Sequence, residues 1–266
     1  MKITSRLSVT NVKVVFPLFI SETRSFKNKV GEMLRFKKRS KRQHKVALQN
    51  INFTLRSGDR LGIIGANGAG KSTLINVLLG IYEPEVGKVV RIGKVAGLIA
   101  AGTGMDPERT GYQNIYRRGR QAGLTEKQID RYLPTILEFA DLGSDIDLPV
   151  RTYSSGMSAR LGFAIVTSMS SQIYILDEWI GAGDARFVDK AQERIEGMFH
   201  EEHILVLATH VDALIKRWCN IVLVLHEGRQ IALTDVPQAL DIKNRILRKE
   251  DINEVLASHD LPLLSL

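Results

Sequence analysis

A single cysteine, Cys219, stands among 266 residues, so neither an intrachain disulfide nor a cysteine-based zinc cluster can form, and a reducing cytoplasm suits the chain. No apolar run reaches the ~18 residues of a membrane-spanning helix. The N-terminal MKITSRLSVTNVKVV also lacks the apolar stretch of about 7 to 15 residues that marks a signal peptide. The expectation is a chain that does not itself cross a membrane. Internal repeats are absent, as is low-complexity sequence outside one basic segment.

Apolar residues make up 44% and charged residues 25%, which is ordinary globular usage and excludes wholesale disorder and collagen. The length allows one large domain or two small ones at roughly 100 to 200 residues each. The net charge of +8 is concentrated: ten lysines and arginines against Glu22 and Glu32 lie between Glu22 and Lys45, so the remainder is neutral. A protein that wraps a polyanion spreads its cations over a broad face, so nucleic acid is not expected as a partner. Within the basic insert, Phe26, Val30, Met33 and Leu34 recur at helical spacing. Either a basic amphipathic helix suited to an anionic lipid surface or a pyrophosphate head group, or a solvated loop, fits that pattern.

Residues 7–16 and 46–55 alternate as strands on either side of the insert, and the turn Ser57-Gly58-Asp59 precedes a short apolar run at 61–64. Further strand-like sequence covers 88–101. A helix is expected from Thr125, with Gln128 completing a capping box. Ile129, Tyr132, Leu133, Ile136, Leu137 and Ala140 follow at core spacing, with a kink expected at Pro134. Apolar strands at 173–176, 204–208 and 221–225 are separated by helix-length segments, so the fold class is α/β.

Residues 65–73 read GANGAGKST between a strand and a helix, the context that a P-loop requires. Gly65, Gly68 and Gly70, with Asn67 and Ala69, let successive backbone N–H groups face phosphates. Lys71 reaches the β and γ phosphates, and Ser72, followed by Thr73, offers a hydroxyl to Mg²⁺. The run IYILDE at 173–178 ends an apolar strand on Asp177 and Glu178, where open α/β sheets bind ligands. Asp177 would hold the metal and Glu178 would orient or deprotonate the attacking water. The Asn-Lys-x-Asp base reader of GTPases is absent.

Upstream of that acidic strand, residues 153–157 read YSSGM and open a segment expected to be helical over 158–168. Here the chain resembles the ATP-binding cassette family, whose LSGGQ signature occupies this place. The resemblance makes Ser154 the signature serine and Gly156 its second glycine, with Ser155 at the first glycine and Met157 at the glutamine. These donors would bind the γ-phosphate held by the opposite subunit. In the same way Ala182-Gly183-Asp184 is similar to the cassette's D-loop, and Thr209-His210 to its switch histidine, which contacts the γ-phosphate. Phe16 matches the aromatic that stacks on adenine, with Phe26 and Phe53 as rivals. Ala100 or Ala101 stands where the family has a glutamine, and Gln113 lies too far along to replace it.

GTGMDPERTGYQNIY, LPVRTYSSGM and ILDEWIGAGDARF, the last with Trp179 and Ile180, resemble the ATP-binding subunits of bacterial polysaccharide exporters that handle O-antigen, capsule or teichoic acid. The likeness runs over about residues 7–235. It implies a P-loop NTPase with an N-terminal antiparallel β subdomain, a parallel RecA-like core and a helical signature subdomain. The implied domain covers 1–240, with the basic insert at 17–45 and a short helical tail at 241–266. It also implies ATP and Mg²⁺, catalysis by Lys71, Glu178, Asp184 and His210, and a homodimer that sandwiches two ATP molecules. The implied partner is an integral-membrane subunit in two copies, the cargo a lipid-linked polysaccharide, and the location the cytoplasmic face of the bacterial inner membrane. Some members continue into a glycan-binding β-sandwich of roughly a hundred residues. Here only a basic helix at 239–249 and the ending LPLLSL follow, so free polysaccharide is not expected to bind. Two other readings share this chemistry: an exporter of a drug or small lipid, and a soluble ATPase acting on nucleic acid or ribosomes. The latter commonly carries fused cassettes or a long coiled coil, and neither occurs in this sequence.

Overall fold

The computed structural model describes residues 5–18, 43–98, 104–169, 171–177, 185–198 and 203–263. Most of the basic insert with Phe26, the Ala100–Ala101 stretch and residues 178–184 lie outside these. In chain order the elements are β1 (Arg6–Leu18), β2 (Gln43–Arg56), β3 (Arg60–Ile64), α1 (Lys71–Leu79), β4 (Val86–Ile92), β5 (Val95–Leu98), α2 (Gly111–Gln121), α3 (Glu126–Ala140) and α4 (Ser155–Ser168). They continue with β6 (Ile173–Asp177), α5 (Ala185–Glu196), β7 (Ile204–Ala208), α6 (Asp212–Trp218), β8 (Ile221–His226), β9 (Arg229–Thr234), α7 (Val236–Leu247) and α8 (Ile252–Ala257).

The strands follow the order β4-β1-β2-β9-β8-β3-β7-β6-β5. From β8 through β3, β7 and β6 to β5 all neighbours are parallel. At the other end, β1 pairs antiparallel with both β2 and β4. β9 joins the two parts, antiparallel to β8 and touching β2 through the single pair Gln49 and Arg229.

Period-two alternation on the parallel strands sorts the core into two layers. Leu61 and Ile63, Ile173 and Ile175, Ile204 and Val206, and Leu223 and Leu225 join one buried cluster with Leu74, Ile75, Val77 and Leu78 of α1 and the inner residues of β1 and β2. Tyr174 and Leu176, Leu205 and Leu207, and Val222 and Val224 face the second cluster, which α2 to α8 cover. Thus α1 is held between the antiparallel layer and the parallel sheet. Its C-terminus is fixed by Gly80, at φ 80°, and by Arg91 of β4, which donates to the carbonyls of Leu78 at 2.6 Å and Val77 at 2.5 Å.

Several boundaries differ from expectation. The β1–β2 ladder continues to the pair Leu18 and Gln43, so the insert occupies 19–42 rather than 17–45. Strand pairing extends that far even through Pro17, which sits near the strand end where a missing N–H is tolerated. The tail expected from 241 begins inside α7, which Asp235 caps and Pro237 opens. Ala239 and Ile242 of α7 and Val255 and Leu256 of α8 are buried in the helical core layer, so this segment is part of the domain and not an appendage. The 88–101 stretch divides into β4 and β5 at Gly93, whose φ of 118° turns the chain from one layer to the other. The capping box at Thr125 forms with Gln128, and α3 runs across Pro134 to Ala140.

Candidate nucleotide-binding site

β3, β7 and β6 lie side by side and in register, Ile63 beside Ala208 and Ala208 beside Asp177. Their C-terminal ends therefore deliver the 65–70 loop, Thr209-His210 and Asp177 to one edge of the sheet, where such folds bind ligands.

The loop needs its glycines for different reasons. A Cβ on Gly65 would lie 2.2 Å from the Leu225 carbonyl, and one on Gly70 would lie 2.8 Å from Leu48. Both residues have positive φ, 154° and 105°. Gly68, at φ 81°, faces open space. The loop is pinned from behind by the Gly228 N–H, which donates to the Ala69 carbonyl at 3.0 Å, while Gln49 donates to the Gly228 carbonyl at 2.8 Å. Gly228 was not singled out from sequence. The signal was there: Glu227-Gly228, both at positive φ, is a tight-hairpin pair between the alternating runs of β8 and β9.

Gly70 caps α1 without a side-chain acceptor, and the first turn carries no acidic residue. The first-turn N–H groups and the positive end of the helix dipole are thus left for an anion. Asn67, Gly68 and Ser72 are exposed, whereas Lys71 is only 6% exposed. Its ammonium donates to the carbonyls of Gly65 at 3.0 Å and Ala66 at 3.3 Å, and meets His210 Nε2 at 3.0 Å. An ammonium has no lone pair, so Nε2 is the acceptor and the imidazole proton sits on Nδ1. Thr209 stays buried and its Oγ1 accepts from the Val211 N–H at 3.1 Å, which sets the turn that presents His210. Asp177, 9% exposed, shares by alternation the face of Ile173 and Ile175 on which α1 packs. One hydroxyl and one carboxylate, completed by phosphates and water, is a donor set that fits Mg²⁺.

Phe16 sits half-buried on β1, on the face of Val12 and Val14, edge-on to Tyr82 with ring centroids 5.4 Å apart. Phe53 is buried in the core and so cannot stack on a base. Ser154 is the N-cap of α4, and its Oγ accepts from the Met157 N–H at 3.2 Å. The helix therefore starts at Ser155, three residues earlier than expected, because the capping serine turns SGM into its first turn. Ser155 and Gly156 offer their N–H groups at that exposed end. Glu178 and Asp184 lie outside the described residues.

A family model described as "ABC transporter" matches residues 48–181. The O-antigen export system ATP-binding protein RfbE of Yersinia enterocolitica is 41% identical over 82% of this chain and 93% of its own length. The teichoic acids export ATP-binding protein TagH of Lactococcus lactis is 43% identical over 68% of this chain, but only 39% of that longer protein is spanned. Among solved structures, an ATP-binding subunit of an ABC transporter superposes with a TM-score of 0.69 over 95% of this chain and 98% of its own, at 22% identity. A dimeric ATP-binding cassette bound to ADP and Pi gives 0.68 at 17% identity over 86% of this chain and 98% of its own. Fold, P-loop and relatives agree, and the chain belongs to the ABC transporter family.

Proposed function

We propose that the chain is the ATP-hydrolysing subunit of an exporter of a cell-surface polysaccharide of the O-antigen or teichoic-acid class, working through a separate membrane subunit. The observation that carries this reading is the 41% identity with an O-antigen export ATP-binding protein across 93% of that protein. The P-loop chemistry is common to every cassette and cannot choose a cargo.

The loop amides after β3 and the start of α1 would bind the phosphate chain, and Phe16 would stack on the base. Lys71 would turn from its carbonyl and imidazole partners to the β and γ phosphates, and the released His210 imidazole would take the tautomer with its proton on Nε2 and donate to the same γ-phosphate. Ser72 and Asp177 would hold Mg²⁺, which neutralises phosphate charge as the γ-phosphoryl group transfers. Glu178 would orient the attacking water. Ser154, Ser155 and Gly156 of a second copy would close the site with N–H and hydroxyl donors, so that binding joins two subunits and hydrolysis separates them. No helix among the described residues is long and apolar enough to cross a membrane. The proposed seat is peripheral, at the inner face of the membrane.

Deleting the gene should abolish surface polysaccharide, and the wild-type copy should restore it. Glu178→Gln should fail to restore it while still binding ATP, since hydrolysis falls by about 10² or more when a positioned base is removed. Normal surface glycan in the deletion strain, with drug sensitivity instead, would sink the assignment.

A further inference from the structure

Phe16, read above as the base platform, lies where the sheet supports it least. β4 begins at Val86, opposite Lys13, so the end of β1 that carries Phe16 pairs with β2 alone. The register of that ladder also shifts between Val12 and Val14 and again between Val14 and Val15. A two-stranded ribbon is marginal by itself, and irregularities of this kind re-aim the side chains beside them. Sheet pairing therefore does not fix the angle of the Phe16 ring.

The chain between α1 and β4 takes the place of the missing third strand. The Glu85 N–H donates to the Lys13 carbonyl at 2.8 Å, and the N–H groups of Ile81 and Tyr82 both donate to the Asn76 carbonyl of α1, at 2.9 and 3.2 Å. Held at both ends, this turn sets the Tyr82 ring against Phe16, with centroids 5.4 Å apart and planes at 77°, a favoured aromatic geometry. Tyr82 is 38% exposed, so filling the core does not account for it. Its hydroxyl makes no hydrogen bond among the described residues.

The helix that anchors Tyr82 starts with Lys71 and Ser72, and the Asn76 side chain donates to the Ser72 carbonyl at 2.9 Å. Nine residues give α1 a length of roughly 13 Å. One short rigid element thus carries the phosphate subsite at its start and, through Tyr82, supports the base platform from its end. We propose that Tyr82 is a positioning residue for the nucleotide base: it holds the Phe16 ring in the orientation that stacks on adenine and fixes that ring relative to the phosphate loop. This rests on the reading of the chain as an ATPase with Phe16 on the base. The ring and not the hydroxyl supplies the contact, so phenylalanine should replace tyrosine.

The test is steady-state ATP hydrolysis by the isolated subunit for wild type, Tyr82→Ala, Tyr82→Phe, Phe16→Ala and the double alanine variant, with inorganic triphosphate as a base-free competitor. Tyr82→Ala should raise KM for ATP by about three- to tenfold, the range for one aromatic pair, and leave kcat within about twofold. Tyr82→Phe should restore the wild-type KM. The inhibition constant of inorganic triphosphate should be the same for wild type and Tyr82→Ala, because that ligand has no base to stack. The double variant should match Phe16→Ala alone, since a residue that acts only through Phe16 has nothing left to position. An unchanged KM in Tyr82→Ala overturns the inference, as do additive effects in the double variant. Equal weakening of ATP and inorganic triphosphate also overturns it, because Tyr82 would then support α1 and not the base. If Phe16→Ala itself leaves KM unchanged, the base-platform reading falls and this inference with it. The export assignment is decided separately, by the surface polysaccharide of the deletion strain.

Discussion

Lys71 and His210 come from loops 139 residues apart, yet they meet at 3.0 Å. In the proposed cycle the pair divides binding from chemistry. Lys71 is buried among loop carbonyls and would serve the phosphate chain, whereas His210 stands at the exposed rim. His210→Ala should therefore keep ATP affinity within a few fold and lower kcat by about 10² to 10³, the range for losing one positioned donor at a developing charge. Single-turnover hydrolysis with a fluorescent-nucleotide titration separates the two, and wild-type turnover would remove His210 from the role. Cys219 is the opposite kind of residue. It is buried beside Gly62 and Ile215, where desolvation raises its thiol pKa to about 12, so it stays protonated and inert at neutral pH.

At the scale of elements, the helix starts differ in what caps them. α2 and α3 open with capping boxes, Thr110 with Gln113 and Thr125 with Gln128, so their own side chains occupy the N-cap and N3 N–H groups. α1 opens on a glycine with no side-chain cap, and its N–H groups remain available to an anion. The Thr125 box was legible because a regular apolar stripe follows it. The Thr110 box is less legible because α2 is mostly polar and buries only Gly111, Asn114, Ile115 and Gly119. The basic insert lies between β1 and β2 in the sequence, and its reading rests on sequence alone. With about 1 kcal/mol per basic residue near an anionic surface, Lys37→Glu, Lys38→Glu and Arg39→Glu together should weaken binding to vesicles containing phosphatidylglycerol by on the order of a hundredfold. ATPase activity of the isolated subunit should not change. Equal sedimentation of variant and wild type with those vesicles would favour the solvated loop.

For the whole molecule, the phosphate loop and the Ser154 end of α4 belong to different layers. Among the described residues no hydrogen bond joins Ser154 or Gly156 to the 65–73 loop of the same chain. A second copy completes the site in the proposed cycle. Glu178→Gln with ATP should accordingly run as a dimer on size exclusion and return to monomer on removal of nucleotide, and adding Ser154→Arg should prevent the shift. A monomer at saturating ATP would argue against the sandwich.

GANGAGKST, IYILDE and the apolar strands were readable directly because each depends on local chemistry: phosphate-facing glycines, a carboxylate after a buried strand, and β-branched runs covered on both faces. Only tertiary structure decided what is brought together across the sheet. The order β8-β3-β7-β6 sets Lys71 beside His210, and Gly228 clamps Ala69 from a hairpin more than 150 residues away. α7 and α8, polar enough to resemble a tail, are drawn into the domain by Ala239, Ile242, Val255 and Leu256. Arg118 shows the same division. Its charge is plain in the sequence, but that it is half-buried, with no acidic side chain paired to it among the described residues, follows from how α2, α4 and the edge strand β5 enclose it, since burial is a property of the packing around a residue and not of the residue.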